Sequence, residues 1–155
     1  MKSWMLIGAV AFAIALAGSL LTPNSRWFRR LRRPRWLTFE WAIPLIWTTI
    51  FICGTISAYL VWESAPGSRG SWFLMGFYLC VEIAIMAYTP IMFRLRSLLV
   101  GTIIGAIGSI LGIILIGNVF PVSLTAGFLL LPYVLWSPIG TYVTWEMIRL
   151  NPEDR

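Results

Sequence analysis

Residues 97–117 read SLLVGTIIGAIGSILGIILIG, 21 residues without a charge. At 1.5 Å per residue such a helix is about 31 Å long, enough to cross a hydrocarbon core of roughly 30 Å. Four further runs have the same character: 3–21, 41–62, 71–93 and 122–148. The chain is 59% hydrophobic and only 12% charged, against roughly 25% charged in an ordinary soluble domain. Too little polar surface exists to cover a water-soluble fold, so lipid must cover part of it. The fold class expected is all-α, an integral membrane bundle of five transmembrane helices. The connections are short apart from an arginine-rich segment at 22–40, so residues 1–155 form one expected domain. The first run also carries signal-peptide features, with Lys2 ahead of it and Ala15-Leu16-Ala17 before Gly18. A retained membrane span is the expected reading.

The net charge of +6 points to topology rather than to nucleic acid, because of where it falls. With five spans, one side holds Arg26, Arg29, Arg30, Arg32, Arg33, Arg35, Arg94, Arg96, Arg149 and Arg155, while the other holds Lys2 and Arg69. Ten basic residues against two put the C-terminus in the cytoplasm and the N-terminus outside. No histidine is present, and Cys53 and Cys80 lie inside apolar runs, where a disulfide between them is not expected. That removes the usual histidine-based metal sites and thiol nucleophiles. No catalytic residue and no metal site are expected.

Seven of the nine tryptophans fall at run ends, where an indole can keep its ring in lipid and its N–H in water. Trp4, Trp62 and Trp72 mark the outer interface; Trp27, Trp36, Trp41 and Trp145 mark the inner one. Trp47 and Trp136 lie deeper, and an indole N–H at depth needs a hydroxyl, a carbonyl or a ligand as its partner. The readings of a packed core tryptophan and of a ligand contact both stand on spacing alone. Pro132 and Pro138 flank Trp136 and can bend the fifth helix to open a cavity. Glu82 is the one ionisable residue near the middle of a run. A carboxyl there is costly when charged, so it is expected to face the bundle, protonated or hydrogen-bonded inward. Small residues recur every fourth position at Gly76, Cys80 and Ala84 and at Gly101, Gly105 and Ser109. Such stripes permit close helix approach, within the bundle or across a dimer.

Four motifs in register resemble the TspO/MBR family, the tryptophan-rich sensory proteins of bacteria and the mitochondrial translocator protein. Ser25-Arg26-Trp27-Phe28, Leu31 and Arg33-Pro34-Arg35-Trp36 resemble its W-Y-x-x-L-x-K-P-x-W. Ile46-Trp47 and Tyr59-Leu60-Val61-Trp62 follow, and Thr89-Pro90-Ile91-Met92-Phe93 with Arg96 is similar to its P-L-F-F-G-x-R. Leu131-Pro132-Tyr133-Val134-Leu135-Trp136 is similar to its L-P-Y-x-x-W. The resemblance implies five helices, often as a homodimer, and a pocket for porphyrins or haem-like tetrapyrroles, with no obligatory cofactor. It implies that Trp27 and Phe28 are lid aromatics, that Trp47 and Trp136 are pocket aromatics, and that Gly140 lines the pocket. Arg29, Arg30, Arg32 and Arg33 would offer charge to ligand carboxylates. Departures stand at Trp36-Leu37-Thr38-Phe39, where the family has W-x-P-P, and at Val81 and Ile85, where it has polar residues. The sterol pattern of the last helix is degenerate, with Trp145 where tyrosine is expected, so sterol binding is not expected. Binding for transport, scavenging or stress regulation is the expected function, in a bacterial cell membrane. Light-dependent porphyrin degradation is the enzymatic alternative, and a small carrier, lacking any visible internal repeat, is the third.

Overall fold

A computed structural model describes residues 2–154, so Arg155, one of the ten basic residues counted above, lies outside them. Five helices are long and apolar enough to span a membrane, and no strand occurs among the described residues. In chain order they are α1 (Ser3–Leu21), α3 (Ile43–Ser64), α4 (Arg69–Leu95), α5 (Leu98–Val119) and α6 (Leu124–Leu150). A short helix, α2 (Arg26–Arg30), lies inside the 22–40 segment, which from sequence was simply a loop. Ser25 makes it possible, its hydroxyl accepting the Phe28 N–H at 3.3 Å.

The same capping device starts three spans. Ser68, Ser97 and Ser123 accept the N–H of Ser71, Val100 and Ala126 at 3.1, 3.2 and 3.2 Å. Each serine supplies an acceptor to one of the orphan amides of a helix start. Pro44 sits in the first turn of α3, where its missing N–H costs nothing. Phe39 leads into a 3-10 turn, Glu40–Ala42, that runs directly into α3. Pro66-Gly67 turns the chain from α3 to α4, with Gly67 at φ 76°, a conformation glycine adopts without a Cβ clash.

The spans form a closed ring in the order α1, α3, α6, α5, α4. The tightest seam is α5 against α6, and glycine makes it so. A Cβ on Gly105 would stand 2.6 Å from Thr141 Oγ1, and one on Gly112 would collide with the Tyr133 ring. The α5 stripe of small residues is thus an intramolecular seam. The α4 stripe differs: Gly76 and Cys80 are exposed, and a Cβ on Gly76 meets no atom within 4 Å. Helix α1 is the loosest member, with Gly18, against Met86, as its one buried residue. The main core comprises Ile50, Val61, Val81, Leu115, Val119 and Tyr133 with their neighbours. A second core, Trp27, Leu31, Met92, Leu98 and Met147, lies beneath α2.

Candidate functional site

The lid end of the bundle is held by the last residues of the chain. Trp27, only 4% exposed, donates its indole N–H to Asp154 Oδ1 at 2.6 Å. Asn151 Oδ1 accepts the Arg32 N–H at 2.8 Å, and Asn151 Nδ2 donates to the Arg32 carbonyl at 3.0 Å. Trp36 Nε1 donates to Glu146 Oε2 at 2.7 Å. Trp27 is therefore a buried lid anchor, wedged edge-on against Phe93 with ring centroids 6.2 Å apart, rather than an interface tryptophan.

Below this lid lies a cavity of about 260 Å³. Phe28, Arg33, Trp47, Trp136 and Gly140 all line it. Two spanning helices, α3 and α6, and the lid supply these five residues, so the fold brings together positions as far apart in sequence as 28 and 140. Trp27, Arg29, Arg30 and Arg32 do not line it: Trp27 stands behind Phe28, and the three arginines are exposed on the lid's outer face. Arg33 reaches the wall but is already engaged. Its Nε lies 2.8 Å from Glu40 Oε1, its guanidinium carbon stands 4.6 Å over the Phe28 ring, and Nη1 donates to the Phe28 and Leu31 carbonyls at 3.1 and 3.2 Å. Arg30 stands 3.9 Å from Asp154.

Most polar side chains of the cavity wall have partners within the protein. Tyr133 donates to the Gly108 carbonyl at 2.7 Å, Ser137 and Ser109 share a hydrogen bond of 2.8 Å, and Tyr88 pairs with Thr144. The Trp136 Nε1–H is the one buried side-chain polar group without a partner among the described residues. An unpaired buried donor costs about 1–3 kcal/mol, which an acceptor entering the cavity would recover. Gly140 is equally informative: a Cβ there would meet no atom within 4 Å. Its missing side chain leaves room in the cavity rather than allowing a neighbour to approach.

Several wall residues escaped sequence reading. Tyr88, Thr89, Met92 and Phe93 from α4, and Ser137, Thr141, Thr144 and Met147 from α6, are among them. The α6 members were within reach, since 140, 144 and 147 follow Trp136 at helical spacing and so share its face. Glu82 lies elsewhere: it is half-buried, outside this cavity, and the inward hydrogen bond expected of it is not formed among the described residues. Two hydroxyls of the neighbouring cavity wall pair elsewhere, Tyr78 with Ser57 at 2.6 Å and Tyr133 with the Gly108 carbonyl.

Residues 6–150 match the sequence model of the TspO/MBR family. The chain belongs to the TspO/MBR family. Among its relatives, a tryptophan-rich sensory protein of Cereibacter sphaeroides is 27% identical over 150 residues, covering 95% of this chain and 92% of that one. Protein CrtK of Rhodobacter capsulatus is 30% identical over 155 residues, covering 94% and 91%. The tryptophan-rich protein TspO of Bacillus cereus is 26% identical over 152 residues, covering 97% of each. Like other TspO/MBR chains this one is a multi-pass membrane protein, and its apolar outer faces, Phe12, Phe73 and Leu135 among them, meet lipid.

Proposed function

We propose that this TspO/MBR protein is a membrane receptor that binds a tetrapyrrole in the lid-side cavity and serves a sensory or regulatory role through it. The observation that carries the reading is the orphan Trp136 N–H, buried in a wall that also presents Trp47 and the empty flank of Gly140. A flat aromatic macrocycle offers π faces to the two indoles and ring or carboxylate acceptors to the N–H. Ligand clefts commonly measure about 300–1,000 Å³, and this cavity of about 260 Å³ is smaller. Binding therefore includes movement of the lid, during which Arg33 exchanges Glu40 for a ligand carboxylate. Relatives named as sensory proteins support the regulatory half of the proposal.

The site holds no acid–base pair poised for hydrolysis, since its one carboxylate, Glu40, is in an ion pair with Arg33 at the rim. Binding is the chemistry it suits. Cys80, a small exposed residue of α4 outside both cavities, is the position through which a homodimer would pack, and the basic asymmetry supports a cytoplasmic lid with the N-terminus outside. Maleimide labelling at Ser68→Cys and Glu153→Cys, in a chain lacking its own cysteines, should mark opposite membrane faces. For the binding itself the test is quenching of tryptophan fluorescence by protoporphyrin. Saturable quenching, weakened when Trp47 and Trp136 are both changed to Ala, is the expected result. Undiminished affinity in that double variant would refute the site. Light-dependent loss of the porphyrin absorption band, with a new product, would make the protein a photochemical enzyme instead.

A further inference from the structure

A larger cavity, about 590 Å³, occupies the other half of the bundle between α1, α3 and α4, with α5 and α6 behind it. Ser3, Trp62 and Trp72 stand at its rim, the two indoles meeting edge to face with centroids 5.0 Å apart. Glu82, Ile85 and Tyr133 lie at its inner end. Between Trp72 and Ile85 α4 rises about 20 Å, so the cavity is a shaft running from that rim to the middle of the membrane.

The shaft is apolar, and the hydroxyls along it are engaged. Thr55 donates to the Phe51 carbonyl at 2.8 Å, Tyr78 pairs with Ser57, and Ser3 donates to Glu63 outside the rim. Arg69, which opens α4, is also at that end but does not line the shaft. Glu82 is the one acidic or basic side chain in the lining, and it has no hydrogen bond or ion pair among the described residues. A carboxyl at the middle of a span is expensive, and nothing in the bundle offsets that cost. An apolar ligand with a neutral end would leave a charged carboxyl uncompensated, and an ionised acid would set two carboxylates against each other.

We propose that the shaft binds an elongated apolar molecule bearing one amine, its chain along α1, α3 and α4 and its ammonium on the Glu82 carboxylate. In a low-dielectric site a pair leaves neither charge alone, whereas either charge by itself is strongly disfavoured. The site is separate from the tetrapyrrole site and stands whether or not that site holds.

The test uses the whole protein in lipid nanodiscs and three photoreactive diazirine probes of equal chain length, an alkyl amine, alcohol and carboxylic acid. Crosslinks are mapped by mass spectrometry. The amine should label shaft residues such as Phe51 and Met75 at concentrations about ten-fold lower than the other two, the advantage of a charge-assisted hydrogen bond. Glu82→Gln should abolish that advantage while leaving alcohol labelling in place. Gly54 also lines the shaft, and a Cβ on it meets no atom within 4 Å. Gly54→Phe should therefore obstruct the shaft at that level and reduce labelling by all three probes. Equal labelling by amine and acid in the unaltered protein would overturn the proposal. So would an amine preference that survives Glu82→Gln, or labelling unaffected by Gly54→Phe.

Discussion

The two cavities of this bundle share Ile85 and Tyr133 as a common partition, yet they are built on different principles. The lid-side cavity is small and bordered by a polar clasp, with Arg33, Glu40, Asn151 and Asp154 fixing the segment above it. The second cavity, at the opposite end of the bundle, has more than twice its volume, an apolar wall and a single carboxyl at its inner end. One is bordered by a basic segment with an unpaired N–H donor inside; the other ends at an acid. The contrast teaches that volume alone does not identify a binding site. The smaller cavity is the one proposed to take a tetrapyrrole because its unsatisfied group is a donor and two indoles line it.

Filling the smaller cavity should have the largest effect on that contrast. Gly140→Leu places a side chain in space that no atom occupies. It should reduce protoporphyrin affinity by roughly a hundred-fold, the upper range of overpacking penalties, without lowering the thermal midpoint. Unchanged affinity in titration would mean the macrocycle does not lie against α6.

Removing one stacking face should have an intermediate effect. Trp47→Ala and Trp136→Ala should each cost about five- to hundred-fold in protoporphyrin affinity, since stacking on an aromatic is worth about 1–3 kcal/mol. Trp62→Ala, at the rim of the shaft, should change it little. Equal small losses in all three variants would erase the distinction between the cavities.

Releasing the lid arginine should have the smallest effect, and in the opposite direction. Glu40→Gln frees Arg33 from its 2.8 Å partner, so ligand carboxylates no longer compete for it. Exposed ion pairs contribute about 0–1 kcal/mol, so protoporphyrin should bind up to about five-fold more tightly. Weaker binding would show that Glu40 holds the lid in its binding conformation.

The architecture was legible in sequence because lipid imposes a simple rule on it. Each span must be apolar and long, and the expected spans end within two residues of the observed helices. The wall positions carried over from the family, Phe28, Trp47, Trp136 and Gly140, converge on one cavity because they sit on helical faces whose spacing is fixed. Partnerships between distant segments were not legible. Nothing local to Trp27 indicates that its N–H reaches Asp154, or that Asn151 clasps the Arg32 backbone. Nor does the arginine cluster reveal which of its members faces inward, since loop side chains follow no periodicity. Glu82 was marked by its depth alone, and its lack of a partner among the described residues depends on side-chain packing that no local pattern encodes.

The central claim, that a tetrapyrrole binds beneath the lid at Trp136, is open to one direct measurement. The protein labelled with 15N-tryptophan shows its nine indole N–H groups by nuclear magnetic resonance, and Trp136→Phe assigns the signal of interest. On addition of protoporphyrin the Trp136 signal should move to a hydrogen-bonded position, with Trp47 perturbed beside it and Trp62 and Trp72 unmoved. Shifts at Trp62 and Trp72 with Trp136 unchanged would place the ligand in the shaft and contradict the account.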